Sequence, residues 1–552
     1  MIRHTRRVNW LRTARLPVAV AAAVLLCALT SGLTAAANRD ATETATRLAA
    51  LLAVSGDAPT DWPTGVDLAA VRQDYADQQY RPIWLQGDGR AAHALLDHLR
   101  AATRHGLRPA DYRPGALAAA LQRLPTVDPR TRAQLDLQFT AAFLRYARDL
   151  RHGRPGLRPG RHGAATPDVP ALLAGVRAAR SVDIHLADLA PRRPGYRELQ
   201  QALRRHLAIQ AAGGWPELPD GPALQRGDRG ARVALLHRRL AIGGDLALYD
   251  PTPEAFDAAL SDAVQRFQAR HGLVPDGVVA ARTRAALNVT AGARADQLAR
   301  NLERLRWDRP PDGLSVRVNV PGFRMALLDQ GRPVLTARAV VGMPSRPTPV
   351  FADRITHLVF NPSWTVPQSI ARADLLPRIR RDPGYLKRAG MKVYGGWTSD
   401  AQPLHPAAVS WDRVAGRLDS YRLVQAPGPG NPLGRVKFMF PNRHNVYLHD
   451  TPDTGLFEHA RRAYSSGCIR IDRPMQLARA LLARTADWDA RRIQRAVASG
   501  RTVRALLDRP VPVRIVYRTA WVDGDGTVQL RPDIYGRDGD LAIRMQQGAT
   551  GS

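Results

Sequence analysis

Cysteine and lysine are both scarce in this 552-residue chain. The two cysteines, Cys27 and Cys468, cannot build a disulfide-stapled fold, and they leave no cysteine cluster for a structural metal. Lysine occurs three times, at Lys387, Lys392 and Lys437, so the formal charge of +31 is almost entirely arginine. Several catalytic signatures are also missing: a phosphate-binding loop, a Gly-x-Ser-x-Gly elbow and a His-Glu-x-x-His zinc helix. Ser-x-x-Lys is absent too, because Gly384, Ala389 and Gly434 stand three residues before the lysines. That excludes serine chemistry of the penicillin-binding type. No cofactor is expected, and a metal site assembled from His444, His449, His459 and Asp453 has no supporting spacing. After residue 37 no apolar run is long enough to span a bilayer.

What is present begins with an export signal. Arg3, Arg6, Arg7, Arg12 and Arg15 precede the apolar run Leu16 to Ala37, which closes on Ala35-Ala36-Ala37. Residues 1–37 are therefore expected to be a cleaved signal peptide or an uncleaved anchor in the inner membrane, with the rest outside the cytoplasm. Hydrophobic content of 45% and charged content of 23% are those of a globular protein. Arginine, alanine and proline in excess, with little lysine, read first as the mark of a GC-rich genome. The cationic surface still favours polyanions. Export removes nucleic acid as a partner and leaves acidic envelope polymers or anionic headgroups.

Periodicity divides the exported chain. Residues 41–215 read as a helical scaffold, with Leu135, Phe139, Ala142, Phe143, Tyr146 and Leu150 on one stripe. The Arg-, Gly- and Pro-rich stretch Arg151 to Gly163 reads as a solvated loop. Residues 220–290 read as a three-helix module, its faces marked by Val233, Leu236 and Leu240, then Leu260, Val264 and Phe267. After the helical lead-in Asn301 to Trp307 the period falls to two: Val316, Val318, Val320; Phe323, Met325, Leu327; Ala337, Ala339, Val341. Further strands are expected at Val436 to Phe440, Val446 to Leu448 and Val511 to Tyr517, with helices at Pro474 to Arg484 and Ala490 to Ala498. The fold class is thus multidomain α+β. Its catalytic domain spans 300–540 and is mostly β, interrupted by a helical insertion at about 367–421 that could act as a lid, and residues 541–552 form a tail.

The chemistry concentrates at Ser465-Ser466-Gly467-Cys468-Ile469-Arg470. An unpaired thiol in an exported protein persists mainly where its reactivity is used. His449 lies nineteen residues upstream, following the alternating Val446-Tyr447-Leu448. An imidazole there can take the thiol proton and hold a thiolate–imidazolium pair. Gly467 lets the chain turn tightly, so that backbone amides at Gly467 and Cys468 converge on an oxyanion.

At these residues the chain resembles the L,D-transpeptidases with a YkuD-like catalytic domain, in their long periplasmic YcbB-type form. The signature His…Ser-x-Gly-Cys-[Ile/Val]-Arg is met by His449, Ser465, Gly467, Cys468, Ile469 and Arg470. Other marks are Val341-Gly342 with Arg346-Pro347-Thr348-Pro349, Asn361-Pro362…Trp364…Val366-Pro367, Asn431-Pro432-Leu433-Gly434-Arg435-Val436-Lys437-Phe438, and Pro510 to Tyr535. Asp450 and Ser466 stand where short members carry glycine and histidine. The 220–290 module resembles a peptidoglycan-binding domain through Gly227, Gly230, Phe267, Gln268, Gly272, Leu273, Asp276, Gly277, Thr283, Leu287 and Asn288; Ala280 replaces its usual glycine.

The resemblance implies a cysteine-dependent acyltransferase whose partners are peptidoglycan stem peptides, as donor and as acceptor. Cys468 would attack the carbonyl before the terminal D-Ala of a tetrapeptide stem, and an amine of a second stem would resolve the thioester into a 3→3 cross-link. His449 would be the base, and Tyr447, Trp364, Ser466 and Arg470 would contact substrate or shape the site. Two rival readings stay open here. The same site with water as acceptor is an L,D-carboxypeptidase or endopeptidase, and a chain without turnover is a peptidoglycan-binding scaffold.

Overall fold

A computed structural model describes residues 39–53, 62–63, 65–86, 89–158, 167–247, 253–382, 384–398, 400–406 and 409–547. The expected leader at 1–37 lies outside them. Among the described residues no helix is long and apolar enough to cross a membrane. The described residues divide into two compact units, those before residue 192 together with 546–547, and those from 192 to 545.

The first unit is helical among its described residues. Its central helix, Pro129–His152, starts where Asp128 accepts bonds from the amides of Arg130 and Thr131, with proline at the first helical position. Gly153, at φ 81°, ends it. Leu135, Phe139, Phe143, Tyr146 and Leu150 are buried on this helix, and Ala142 flanks them half-buried. The expected loop at 151–163 starts later than the composition suggested: the helix continues through His152, and residues 159–163 fall outside the described set. Asp136 is fully buried in the same helix, where Ile83, Trp84 and Leu85 amides and the Tyr75 hydroxyl donate to it. Four donors compensate a carboxylate that burial alone would penalise.

The second unit opens with the helix Tyr196–Ala211, which falls within the 41–215 stretch read as scaffold. It packs on the helix Ala291–Trp307, where Arg306 donates to the Tyr196 hydroxyl at 3.0 Å and pairs with the buried Glu303 at 2.8 Å. Between them sits the three-helix module: Ala231–Gly243, Ala258–His271 and Ala281–Leu287. Gln268 explains much of its motif. Its amide donates to Asp276 at 2.7 Å, the Val278 carbonyl at 2.9 Å and Thr283 at 3.1 Å, while its Oε1 accepts the Gly277 amide at 2.9 Å. Ala280 is extended at φ −83°, a conformation any residue adopts, so the missing glycine costs no strain there.

The catalytic region is one sheet in the order β11-β3-β12-β10-β9-β4-β13-β1-β2, and β2 also pairs β3, which closes it into a barrel. The strands are β1 Ser315–Asn319, β2 Arg324–Asp329, β3 Arg332–Gly342, β4 Phe351–Phe360, β9 Val436–Met439, β10 Leu448–His449, β11 Ala463–Ser465, β12 Ile469–Ile471 and β13 Val503–Val516. Alternate residues such as Val316, Val318, Leu358, Phe438, Leu448, Ile469 and Ile471 enter one core with the helix Pro474–Leu482. Strand β13 starts earlier than the expected Val511, because a register shift between Leu506 and Val511, around Arg509-Pro510, hides its first half from a period-two reading. The expected tail is helical as far as Gln547 and buries Leu541.

The insertion after Pro367 has helices, as its pattern indicates, but also a four-stranded sheet that the pattern did not reveal. Its order is β5-β8-β6-β7, with β5 Trp364–Thr365, β6 Met391–Gly395, β7 Pro403–Leu404 and β8 Tyr421–Gln425. These strands are too short for alternation to stand out. Ala371, Leu375, Ile379, Leu386, Met391, Val393, Val414 and Leu418 give the insertion a core of its own.

The helix Ala291–Trp307 is clamped to the end of the barrel through buried Asn301, whose amide donates to the Thr519 hydroxyl at 2.7 Å and whose Oδ1 accepts the Thr519 amide at 3.0 Å. Asn301→Leu leaves that buried amide unpaired, and the expected cost is about 1–3 kcal/mol. Chemical denaturation of the exported chain reads it; a catalytic-domain transition at the wild-type midpoint would show that the clamp is dispensable.

Candidate active site

The loop from β11 to β12 presents Cys468 because a serine closes it. The buried Ser465 hydroxyl donates to the Cys468 carbonyl at 2.5 Å and accepts the Gly467 amide at 3.1 Å, so a side chain supplies the turn's hydrogen bonds. Gly467 sits at φ 114°, where a side chain would be strained. Its carbonyl accepts from Thr348 at 2.8 Å, and Thr348 Oγ1 in turn accepts the Gly342 amide at 2.9 Å. The Tyr535 hydroxyl donates to the Gly342 carbonyl at 2.5 Å. A Cβ on Gly342 would collide with the backbone at Arg346 and Thr348. The separate motifs at 341–349, 465–470 and 535 are therefore one hydrogen-bonded cradle under the cysteine.

Strand register does the rest. In the parallel β10–β12 pair, His449 stands opposite Arg470; in the antiparallel β9–β10 pair, it stands opposite Lys437. Side chains at paired positions share a face, so Lys437, His449 and Arg470 form a row across three strands. One step back, the Ile469 amide donates to the Tyr447 carbonyl at 3.0 Å, which sets Tyr447 beside Cys468 on the same face. The row and the thiol line a cavity of about 1220 Å³, roofed by residues of the insertion that include Ile370, Asp374, Arg378, Tyr385, Arg388 and Trp397. Trp364, Ser466 and Tyr447 line it as well, so the expected site residues meet in one place.

The thiol is half-buried and donates towards the Asn445 carbonyl at 3.7 Å. Burial pushes its pKa up, against hydrogen bonds from the Tyr447 backbone and hydroxyl and the charges of Lys437 and Arg470. The His449 Nδ1–H donates to the Asp450 carbonyl at 2.6 Å, which fixes that tautomer. Burial, then the Arg470 charge, bring His449 down to about 3, with Lys437 adding to the effect and the Asp450 and Pro432 carbonyls opposing it. Both shifts favour a neutral thiol beside a neutral imidazole. The thiolate–imidazolium pair suggested by the motif is thus disfavoured, first by the burial of both groups and then, for the ring, by the cations beside it. Among the described residues no hydrogen bond joins Cys468 to His449.

Other expectations resolve individually. The Gly467 amide is taken by Ser465, which leaves the Cys468 amide as the donor free of that bond. Ser466 Oγ accepts from Arg346 at 2.8 Å. Arg470 approaches the exposed Asp453 no closer than 3.9 Å, and its buried Nε has no hydrogen-bond partner, so a strong structural ion pair is not what holds it. His444 and His459 are exposed, as expected, although His444 reaches the cavity mouth. Asp450 is buried and accepts from the backbone and guanidinium of Arg435, both at 2.9 Å, which anchors the segment carrying His449. Among the described residues no group of three His, Cys, Asp or Glu side chains could hold a metal ion. Lys437, Arg346, Thr348 and Asp450 stand within the motifs that carry the resemblance but were given no role from sequence; Lys437 carried a further signal, as one of three lysines in an arginine-rich chain.

Residues 314–513 match the profile described as "L,D-transpeptidase catalytic domain", residues 69–203 match "Scaffold domain", and residues 229–287 match "Putative peptidoglycan binding domain". A Haemophilus influenzae protein named "Putative L,D-transpeptidase" is 36% identical over 247 residues, which is 45% of this chain and 49% of the relative, so the chain spans about half of that relative's length. Among solved structures, the L,D-transpeptidase (residues 123–326) from Xylanimonas cellulosilytica is similar at 16% identity over 54% of this chain and 100% of that one, with a TM-score of 0.18. L,D-transpeptidase 1 of Mycobacterium tuberculosis is similar at 12% identity over 37% and 62%, with a TM-score of 0.16. Scores at that level decide nothing; the sequence matches do. Residues 314–513 are an L,D-transpeptidase catalytic domain. The chain's order of scaffold domain, peptidoglycan-binding domain and YkuD catalytic domain is a YcbB-like architecture.

Arg346 ties the insertion to the nucleophile loop. Arg346 forks onto Asp374 at 2.6 and 3.0 Å while also holding Ser466. The Asp374 pKa is lowered, chiefly by that guanidinium, so the pair is intact above the ordinary carboxylate value and is lost as pH falls through the lower folded one. Asp374→Asn removes the charge and keeps the shape. A bulky maleimide is expected to alkylate Cys468 faster in this variant at neutral pH, and small iodoacetamide at the wild-type rate. Equal maleimide rates in both proteins would contradict a restraining role for the pair.

Proposed function

We propose that the protein is a cell-envelope L,D-transpeptidase that forms 3→3 cross-links in peptidoglycan through a thioester on Cys468. The observation that carries this reading is the cavity, which holds the thiol and His449 and is large enough for two peptide arms. The donor carbonyl lies over Sγ, with its oxygen towards the Cys468 amide. Sulfur adds to that carbon as its proton leaves for a base. The carbon–nitrogen bond to D-Ala then breaks, and the departing amine takes up a proton. An acceptor amine attacks the thioester, His449 Nε2 accepts its excess proton, and the thiol is restored as the amide forms. Tyr447, Trp364, Ser466 and Arg470 shape the donor arm, and the insertion acts as a lid that excludes water until the acceptor enters.

With purified tetrapeptide stems, mass spectrometry is expected to find a cross-linked dimer and one D-Ala released per bond. Tripeptide without dimer would make water the acceptor and the protein an L,D-carboxypeptidase. Cys468→Ala, a small-for-small change, is expected to abolish turnover with the fold intact; appreciable remaining activity would remove the cysteine from the mechanism.

The three-helix module supports a second contact with the wall. General attraction of arginines to acidic polymers fades as the Debye length drops from about 10 Å at 0.1 M salt to about 3 Å at 1 M, whereas a packed groove persists. Sacculus pull-down by the exported chain is expected to be mostly salt-sensitive, with a resistant fraction that disappears when 224–288 is deleted. Unchanged binding at both salt levels would make the module a spacer.

A further inference from the structure

We infer that Lys437 is a working part of the active site: its ammonium supplies the positive charge facing the Cys468 thiolate, a task the motif would otherwise give to His449. This rests on the thioester reading above and extends it to a residue outside the signature.

The geometry comes from the sheet. On β9, Val436 and Phe438 point into the barrel core, so Lys437 between them faces the other way and lines the cavity. Lys437 lies opposite His449 on β10, and its Nζ stands 4.8 Å from the Tyr447 ring centroid, over the ring that adjoins the thiol. Cation–ring contact holds the head of the side chain in place without using its charge on a carboxylate. Among the described residues no ion pair of Lys437 is recorded, although acidic partners are common for the arginines of this chain. A half-buried, unpaired cation is costly unless an anion arrives next to it. The anion that appears in this cavity during the reaction is the thiolate.

Burial lowers the Lys437 pKa and the Cys468 charge raises it, while the Lys437 charge lowers that of Cys468. The groups that face this pair are His357 from β4, Tyr447 and His449 from β10 and its approach, Arg470 from β12, and Asp374, Arg378, Tyr385 and Arg388 from the insertion. Asp374 is engaged by Arg346 and so is no free counter-charge for Lys437, and Arg388 is engaged by Asp382 and so is no free counter-charge for the thiolate. Arg470, on the other side of His449, is the second cation. With a charge on either side of it the imidazole stays neutral, which leaves it free to accept a proton from the acceptor amine.

The test is the pH dependence of Cys468 alkylation by iodoacetamide in the exported chain, which needs no transpeptidation. Lys437→Met is expected to move the inflection up by about one to three pH units, the effect of losing an adjacent opposite charge. Lys437→Arg is expected to remain near wild type, and thermal melting of both variants checks the fold. A Lys437→Met inflection at the wild-type pH overturns the proposal. So does an equal upward shift in Lys437→Arg, which would mean a packing role. If Lys437→Met does not fold, Lys437→Gln is read by the same criteria. Loss of the cross-linking reading would show separately, as absent dimer in the wild-type protein.

Discussion

Everything at the site depends on the register of three neighbouring strands. β10 is two residues long, parallel to β12 and antiparallel to β9, and that pairing puts Lys437, His449 and Arg470 side by side on one face. A slip of one residue would turn each of them into the barrel core and bring Phe438, Leu448 and Ile469 out. The hydrophobic demand of the core therefore holds the chemistry in place: each buried neighbour fixes the side chain beside it. The thiol follows from the same register, because Cys468 immediately precedes β12 and the Ser465-closed turn leaves it no other direction.

Much of this was legible in the sequence. Alternating valines and leucines gave the strands of the barrel, the 3.6-residue stripe gave the long scaffold helix, and the Ser-x-Gly-Cys segment with the upstream histidine led to the cavity. The reading was weakest where local pattern is short or interrupted. Two- to five-residue strands in the insertion carry too few alternations to be recognised, and the Pro510 bulge concealed half of β13. The electrostatics were not legible at all. That His449 is flanked by two cations depends on which strands are neighbours, and Lys437, Arg470 and His449 are spread over β9, β12 and β10 in chain order that does not reveal it.

The remaining parts serve that face by distinct physical means. The cradle of Gly342, Thr348, Gly467 and Tyr535 is a chain of buried and half-buried hydrogen bonds in which each member satisfies the next, so it is rigid. The insertion has its own core and touches the nucleophile loop through the Arg346–Asp374 fork, a partly exposed contact suited to being made and broken. A rigid floor and a separately folded roof are what a site needs if it must hold a reactive acyl group and still admit a second peptide.

The proposed mechanism requires that the carbonyl carbon of a donor peptide become bonded to Cys468. Its most direct measurement is the intact mass of the enzyme, acid-quenched during turnover with tetrapeptide in the absence of an acceptor amine. The predicted result is a population heavier by the tetrapeptide less D-Ala and less the displaced hydrogen, with the adduct on the peptide that contains Cys468. An enzyme that consumes tetrapeptide without gaining mass, or that carries the adduct on another residue, would contradict it.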